Sequence, residues 1–87
     1  MEFEYDSEKS ESNRKKHGID FVEAQSLWDD PMHIVVPARS LTEERYALIG
    51  KFNESLWTCI FTLREQNLRI ISVRKARDEE KEGYHHS

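Results

Sequence analysis

Between Arg45 and Arg74 the chain sets three apolar-rich runs in line with only two short polar breaks, and this stretch constrains the fold more than any other. The runs are Arg45 to Gly50, Leu56 to Leu63, and Leu68 to about Arg74; the breaks are Asn53-Glu54-Ser55 and Glu65-Gln66-Asn67. Breaks this short join neighbouring strands only if the strands are antiparallel. Along the middle run, alternation puts Leu56 and Ile60 on one side and Trp57, Cys59, Phe61 and Leu63 on the other. A shorter apolar run, His33 to Val36, is closed by Pro37 and supplies a further strand. Glu2-Phe3-Glu4-Tyr5 also alternates, as a short N-terminal edge strand does.

Two helices are expected before this meander. The first starts at an Asp6 or Ser7 cap, runs to about His17 and ends at Gly18, where a left-handed helix end favours glycine. It has almost no apolar residue, so it lacks the stripe by which a helix normally buries itself. Its stripe is polar instead: Lys9, Asn13, Lys16 and His17 share one face. Either this helix is weak and bathed in solvent, or that face has a polar task. The second helix opens with a capping box, Asp20 with Glu23, and a staple of Ile19 with Ala24. It turns Phe21, Ala24, Leu27 and Trp28 inward and stops at Asp30-Pro31. A short charged helix, Asp78 to Tyr84, closes the chain. The expectation is an α+β fold: two N-terminal helices packed on a four-stranded antiparallel sheet, with a short C-terminal helix. At 87 residues there is room for one domain, 1–87, with 85–87 as a tail.

Charge is unevenly distributed. The net charge is −4, yet residues 13–77 hold eleven Lys/Arg against eight Asp/Glu, and both ends are acidic. The basic residues gather in Arg14-Lys15-Lys16-His17 and in Arg69 with Arg74-Lys75 and Arg77. Solvated surface charge is the ordinary reading of either cluster alone. No apolar stretch approaches the roughly 18 residues of a membrane span, and the acidic N-terminus resembles no secretory signal, so a cytoplasmic location is expected. The lone cysteine, Cys59, lies in the most apolar strand and reads as a buried thiol. The histidines are scattered and no glycine-rich phosphate loop is present; neither a metal nor a cofactor is expected.

What remains is a set of Lys, His, Arg, Glu and Tyr, which suits phosphodiester chemistry without a metal. RNA carries its own nucleophile, the 2′-hydroxyl. Its cleavage needs a base, cations for the charge growing on phosphorus, and an acid for the leaving 5′-oxygen. Imidazole is the side chain that titrates nearest neutrality, which singles out His17. Lys9 and Lys16 carry the right charge for phosphate, and Arg64, Arg69 and Arg74 can grip its oxygens as forks. Glu80 and Tyr84 share a face of the last helix. From spacing alone the plainer reading prevails there: Arg74 pairs with Glu80 and Tyr84 covers the core.

Taken in order, these residues resemble the BrnT family of toxins, the ribonuclease half of bacterial type II toxin–antitoxin pairs. The likeness rests on Phe3-Glu4-Tyr5-Asp6, Lys9, Asn13, Lys16-His17-Gly18-Ile19, Phe21, Ala24 and Trp28-Asp29-Asp30. It continues with Arg45, Phe61-Thr62-Leu63-Arg64 and Arg69-Ile70-Ile71-Ser72-Val73-Arg74-Lys75-Ala76, then Glu80 and Tyr84. Tyr5 stands where the family shows Trp.

The resemblance implies a RelE/ParE-like fold, metal-independent endonucleolytic cleavage of RNA, free or on the ribosome, and inhibition of translation. It implies a cognate BrnA-like antitoxin with a ribbon-helix-helix DNA-binding domain, through which alone operator DNA would be reached. Lys16, His17, Arg64, Arg74, Glu80 and Tyr84 are the expected catalytic set; Lys9, Asn13, Arg69, Lys75 and Arg77 are the expected substrate-binding set. The competing reading is a non-catalytic or protein-targeting ParE-like module that acts with its partner in autorepression.

Overall fold

A computed structural model describes residues 2–87. Its elements are β1 (Phe3–Glu4), α1 (Ser7–His17), α2 (Phe21–Ala24) with a 3₁₀ turn (Gln25–Asp29), β2 (Ile34–Ala38), β3 (Arg45–Phe52), β4 (Ser55–Arg64), β5 (Asn67–Lys75) and α3 (Asp78–His85). The strands form one sheet in the order β1-β5-β4-β3-β2. The meander β2 to β5 is antiparallel as expected, but the sheet has five strands rather than four and is mixed. β1 lies parallel to β5, with Phe3 opposite Leu68 and Glu4 opposite Arg69. A parallel neighbour needs a long crossover, and everything between β1 and β5 serves as that connection.

Local signals were obeyed at the helix ends. The Asp6 carboxylate accepts from the Glu8 and Lys9 amides, Gly18 closes α1 at φ +84°, and the Asp20–Glu23 capping box is present. Other limits moved. The second helix is α-helical only to Ala24 and then tightens into the 3₁₀ turn, which brings the Leu27 backbone close over Gly50; a Cβ on Gly50 would sit 3.1 Å from the Leu27 carbonyl oxygen. β2 runs through Pro37 instead of ending there, because an edge strand bonds on one side only and tolerates a missing N–H. The last helix runs one residue past Tyr84, to His85.

The sheet has two unlike faces. One is covered by α2 and its 3₁₀ turn over Phe21, Leu27, Leu48, Trp57, Cys59, Phe61, Leu68, Ile70 and Val73. Phe3, Trp28, Phe61 and Tyr46 form an aromatic chain there, with centroids 5.0 to 5.5 Å apart. The opposite face has a smaller core of Ala47, Ile49 and Ala76, with Ile34, Leu56, Ile60 and Tyr84 packed against it. We call it the open face, because among the described residues α3 is the one helix packed on it, at one end. At the opposite end of β4 and β5, Leu63 is exposed despite its place in the alternation.

α1 shows how a helix with no apolar stripe stays folded. Its buried residues are Ser10 and Asn13. Ser10 Oγ accepts from the Phe21 amide at 2.9 Å. The Asn13 carboxamide donates to the Ile19 and Val73 carbonyls, both at 2.8 Å, and accepts from the Val73 amide at 3.2 Å. Since β1 pairs only with Leu68 and Arg69, β5 has a free edge beyond them. Asn13 closes that edge as a strand residue would, fixing α1 beside β5.

Candidate nucleic-acid interface

The β4–β5 register aligns the arginines. Thr58 pairs with Arg74, Ile60 with Ser72, Thr62 with Arg69 and Arg64 with Asn67; the irregularity at Ile60/Phe61 leaves Ile71 as an extra residue in β5. Directly opposed residues share a face. Ile60 belongs to the open-face core, so Thr58, Thr62 and Arg64 lie on that face, and Ser72, Arg69 and Arg74 lie there too. On β3, Arg45 alternates with Ala47 and Ile49 and joins the same face. Arg45, Arg64, Arg69 and Arg74 therefore share one side of the sheet. They form a strip rather than a point, with Arg69 and Arg74 roughly 16 Å apart along the strand.

Each end of the strip is held differently. Arg74 grips Glu80 with both terminal nitrogens, at 2.8 and 3.0 Å. Glu80 also accepts from the Thr58 hydroxyl and the Arg77 amide, each at 2.8 Å. Burial alone would raise the Glu80 pKa; the Arg74 guanidinium, the Arg77 amide and the Thr58 hydroxyl outweigh it and hold the carboxyl down at about 2. Glu80 is thus a carboxylate at neutral pH with no proton to give. At the other end, Arg69 meets Glu4 at 3.5 Å and Arg45 meets Glu43 at 3.5 Å. The Arg45 Nε is buried and has no hydrogen-bond partner among the described residues.

Tyr84 points elsewhere. Its hydroxyl donates to the Asp30 carboxylate at 2.7 Å, which raises the phenol pKa. Asp30 also accepts from the Met32 and Lys51 amides. Burial would raise the Asp30 pKa, but these donors hold it below the usual carboxylate range. Both halves of the plainer sequence reading are present: Arg74 pairs with Glu80, and Tyr84 packs against the open-face core. Cys59 is fully buried, which pushes its thiol up and away from thiolate.

The α1 residues adjoin this face at the edge of β5. Lys9, Lys16 and His17, with Ser12, Asn13, Phe21, Ile71 and Ser72, line a depression of about 210 Å³. Ser72 is the link, because it lies in the depression and Arg74 follows two residues later on the same side of β5. Lys9 and Lys16 are exposed and His17 is half-buried, whereas Asn13 has both ends of its carboxamide bonded to backbone. Lys75 lies on the other face, 4.7 Å from the Trp57 ring, and Arg77 is exposed at the start of α3. Arg45 joins the site although sequence reasoning gave it no role; its place on the open face follows only from the strand register.

A small α+β chain with arginines strung along an open sheet face and a Lys–His helix at its edge is the class defined so far. Residues 5–80 match the family described as the ribonuclease toxin, BrnT, of type II toxin–antitoxin system. The chain belongs to that family of ribonuclease toxins. No curated protein compared with it matches.

Proposed function

We propose that this chain is a metal-independent endoribonuclease that cuts RNA, blocks translation and is neutralised by a BrnA-like ribbon-helix-helix antitoxin. The observation that carries the proposal is the alignment of Arg45, Arg64, Arg69 and Arg74 on one sheet face. A phosphodiester laid on that face meets guanidinium forks suited to its oxygens and to the extra charge of a phosphorane. Arg74 is the preorganised member: Glu80 and the Lys75 carbonyl fix its end, which leaves Nε and the second Nη2 proton as the donors for a phosphate oxygen. Glu80 and Tyr84 then act as positioning groups: the first is ionised and bonded to Arg74, and the hydroxyl of the second is spent on Asp30. Proton transfer falls to His17, with Lys16 and Lys9 holding the strand and Asn13 fixing the helix that presents them. The scaffold is read as RelE/ParE-like, supported by α2 and its 3₁₀ turn on one face of an antiparallel meander and an opposite face that α3 covers at one end.

The antitoxin would cover the exposed apolar side chains of Met32, Val35, Val36 and Leu41, on and beside the edge strand β2, and would carry the complex to operator DNA. Trp57 is buried and Phe52 half-buried, so neither is available for that contact.

Inducible expression tests the reading. Labelled methionine incorporation should fall first, and primer extension should show new RNA ends. Arrest of thymidine incorporation with intact RNA would instead support a protein-targeting toxin.

A further inference from the structure

A second basic site lies beyond the arginine strip. Lys51, Lys75, Lys81, Tyr84 and His85 line a depression of about 390 Å³, together with Glu54, Ser55 and Leu56. Among the described residues, no carboxylate lies within 4.0 Å of any of the three ammonium groups. Glu54 is the one acid in the lining, and the nearby Asp30 carboxylate is occupied by Tyr84, Lys51 and Met32 donors. Three ammonium groups around one depression without counterions repel one another and leave a local positive potential for an anion to relieve.

The site is also partly built. Lys75 Nζ donates to Ser55 Oγ at 2.9 Å and sits over the Trp57 ring, so its ammonium is held in place. On α3, Lys81 and His85 are four residues apart with Tyr84 between them, which puts all three on one face. The acids of α3 that would repel a phosphate, Asp78, Glu79 and Glu82, are exposed and absent from the lining.

We infer that this depression is a phosphate subsite for the RNA strand beyond the bond that is cut. Leu56 and Tyr84 of the lining pack against the open-face core, and Glu80 lies one turn before Tyr84 on α3, so the depression adjoins the Arg74–Glu80 pair at that end of the open face, with Lys75 reaching it from the end of β5. The inference rests on the ribonuclease reading for its ligand, RNA. Ammonium groups suit such a subsite: they act as point charges on a backbone and read no base.

The test measures binding of a single-stranded 2′-O-methyl RNA oligonucleotide, which lacks the nucleophile, across a series of salt concentrations. The variant is the double substitution Lys51→Gln/Lys81→Gln, at two exposed positions. Each lost phosphate contact lowers the slope of log K against log salt by about 0.7, so the variant should show a slope shallower by about 1.4. Its affinity at low salt should fall as well. An unchanged slope overturns the subsite, as does a site that takes inorganic phosphate, seen as shifts at the three lysines, while the RNA slope stays put. Failure of the native protein to bind the oligonucleotide also overturns it. Cleavage of unmodified RNA by the native protein, assayed in parallel, decides the ribonuclease reading separately.

Discussion

Glu80 concentrates the chemistry of the site into one side chain. It holds the Arg74 fork, the Thr58 hydroxyl and the first turn of α3. A depressed folded-state pKa means the carboxylate stabilises the fold fully above its unfolded value of about 4.3. That contribution disappears as pH falls toward about 2. Glu80→Gln should therefore melt well below the native protein at pH 6, and the gap should close as both are taken from pH 4 to pH 2. Thermal unfolding followed by circular dichroism measures it. A gap that stays constant over that range would mean the carboxylate is not what stabilises Arg74. Arg45 and Asn13 mark the limits of residue-by-residue reading. A lone arginine before a hairpin has no local signature of the face it will occupy, and an asparagine on a polar helix stripe reads as solvent-facing. Both are placed by strands far away in sequence.

At the level of elements, α1 is the informative case. Its amphipathic pattern is absent, and its anchor is hydrogen bonding to a strand sixty residues away. Asn13→Ala removes three bonds and leaves the Val73 amide and carbonyl without their partner. The expected cost is about 2–4 kcal/mol, read from urea denaturation. Asn13→Asp should be no better, because a carboxylate would face the Ile19 and Val73 carbonyls. If both variants unfold at the native midpoint, the peg is not what holds α1. The helix caps and the β3–β4 and β4–β5 hairpins were legible because their determinants are local: Asp6, Gly18, Asp20 with Glu23, and the two short breaks. The edge strand β1 was legible in the alternation of Glu2-Phe3-Glu4-Tyr5, but its parallel pairing was not, because its partners, Leu68 and Arg69, lie far away in sequence. The 3₁₀ turn after Ala24 escaped for a related reason. It answers the close approach of Leu27 to Gly50, a tertiary demand with no trace in the apolar spacing.

For the molecule as a whole, the decisive property is asymmetry. One sheet face is sealed by helices and aromatics; the other carries the arginines, with basic groups from α1 along its edge and from α3 at its end. Net charge hides this division, since the acids collect at the termini. Among the described residues no helix is long and apolar enough to cross a membrane. The account stands on the open face cutting RNA by means of Arg74. The direct measurement is cleavage of a single-stranded RNA by the purified protein in excess chelator, native against Arg74→Ala, with both shown to be folded. The native protein should produce fragments at a rate the variant loses by at least about 10²-fold, the scale of removing one preorganised charge-stabilising donor. Equal rates from the two proteins would contradict it.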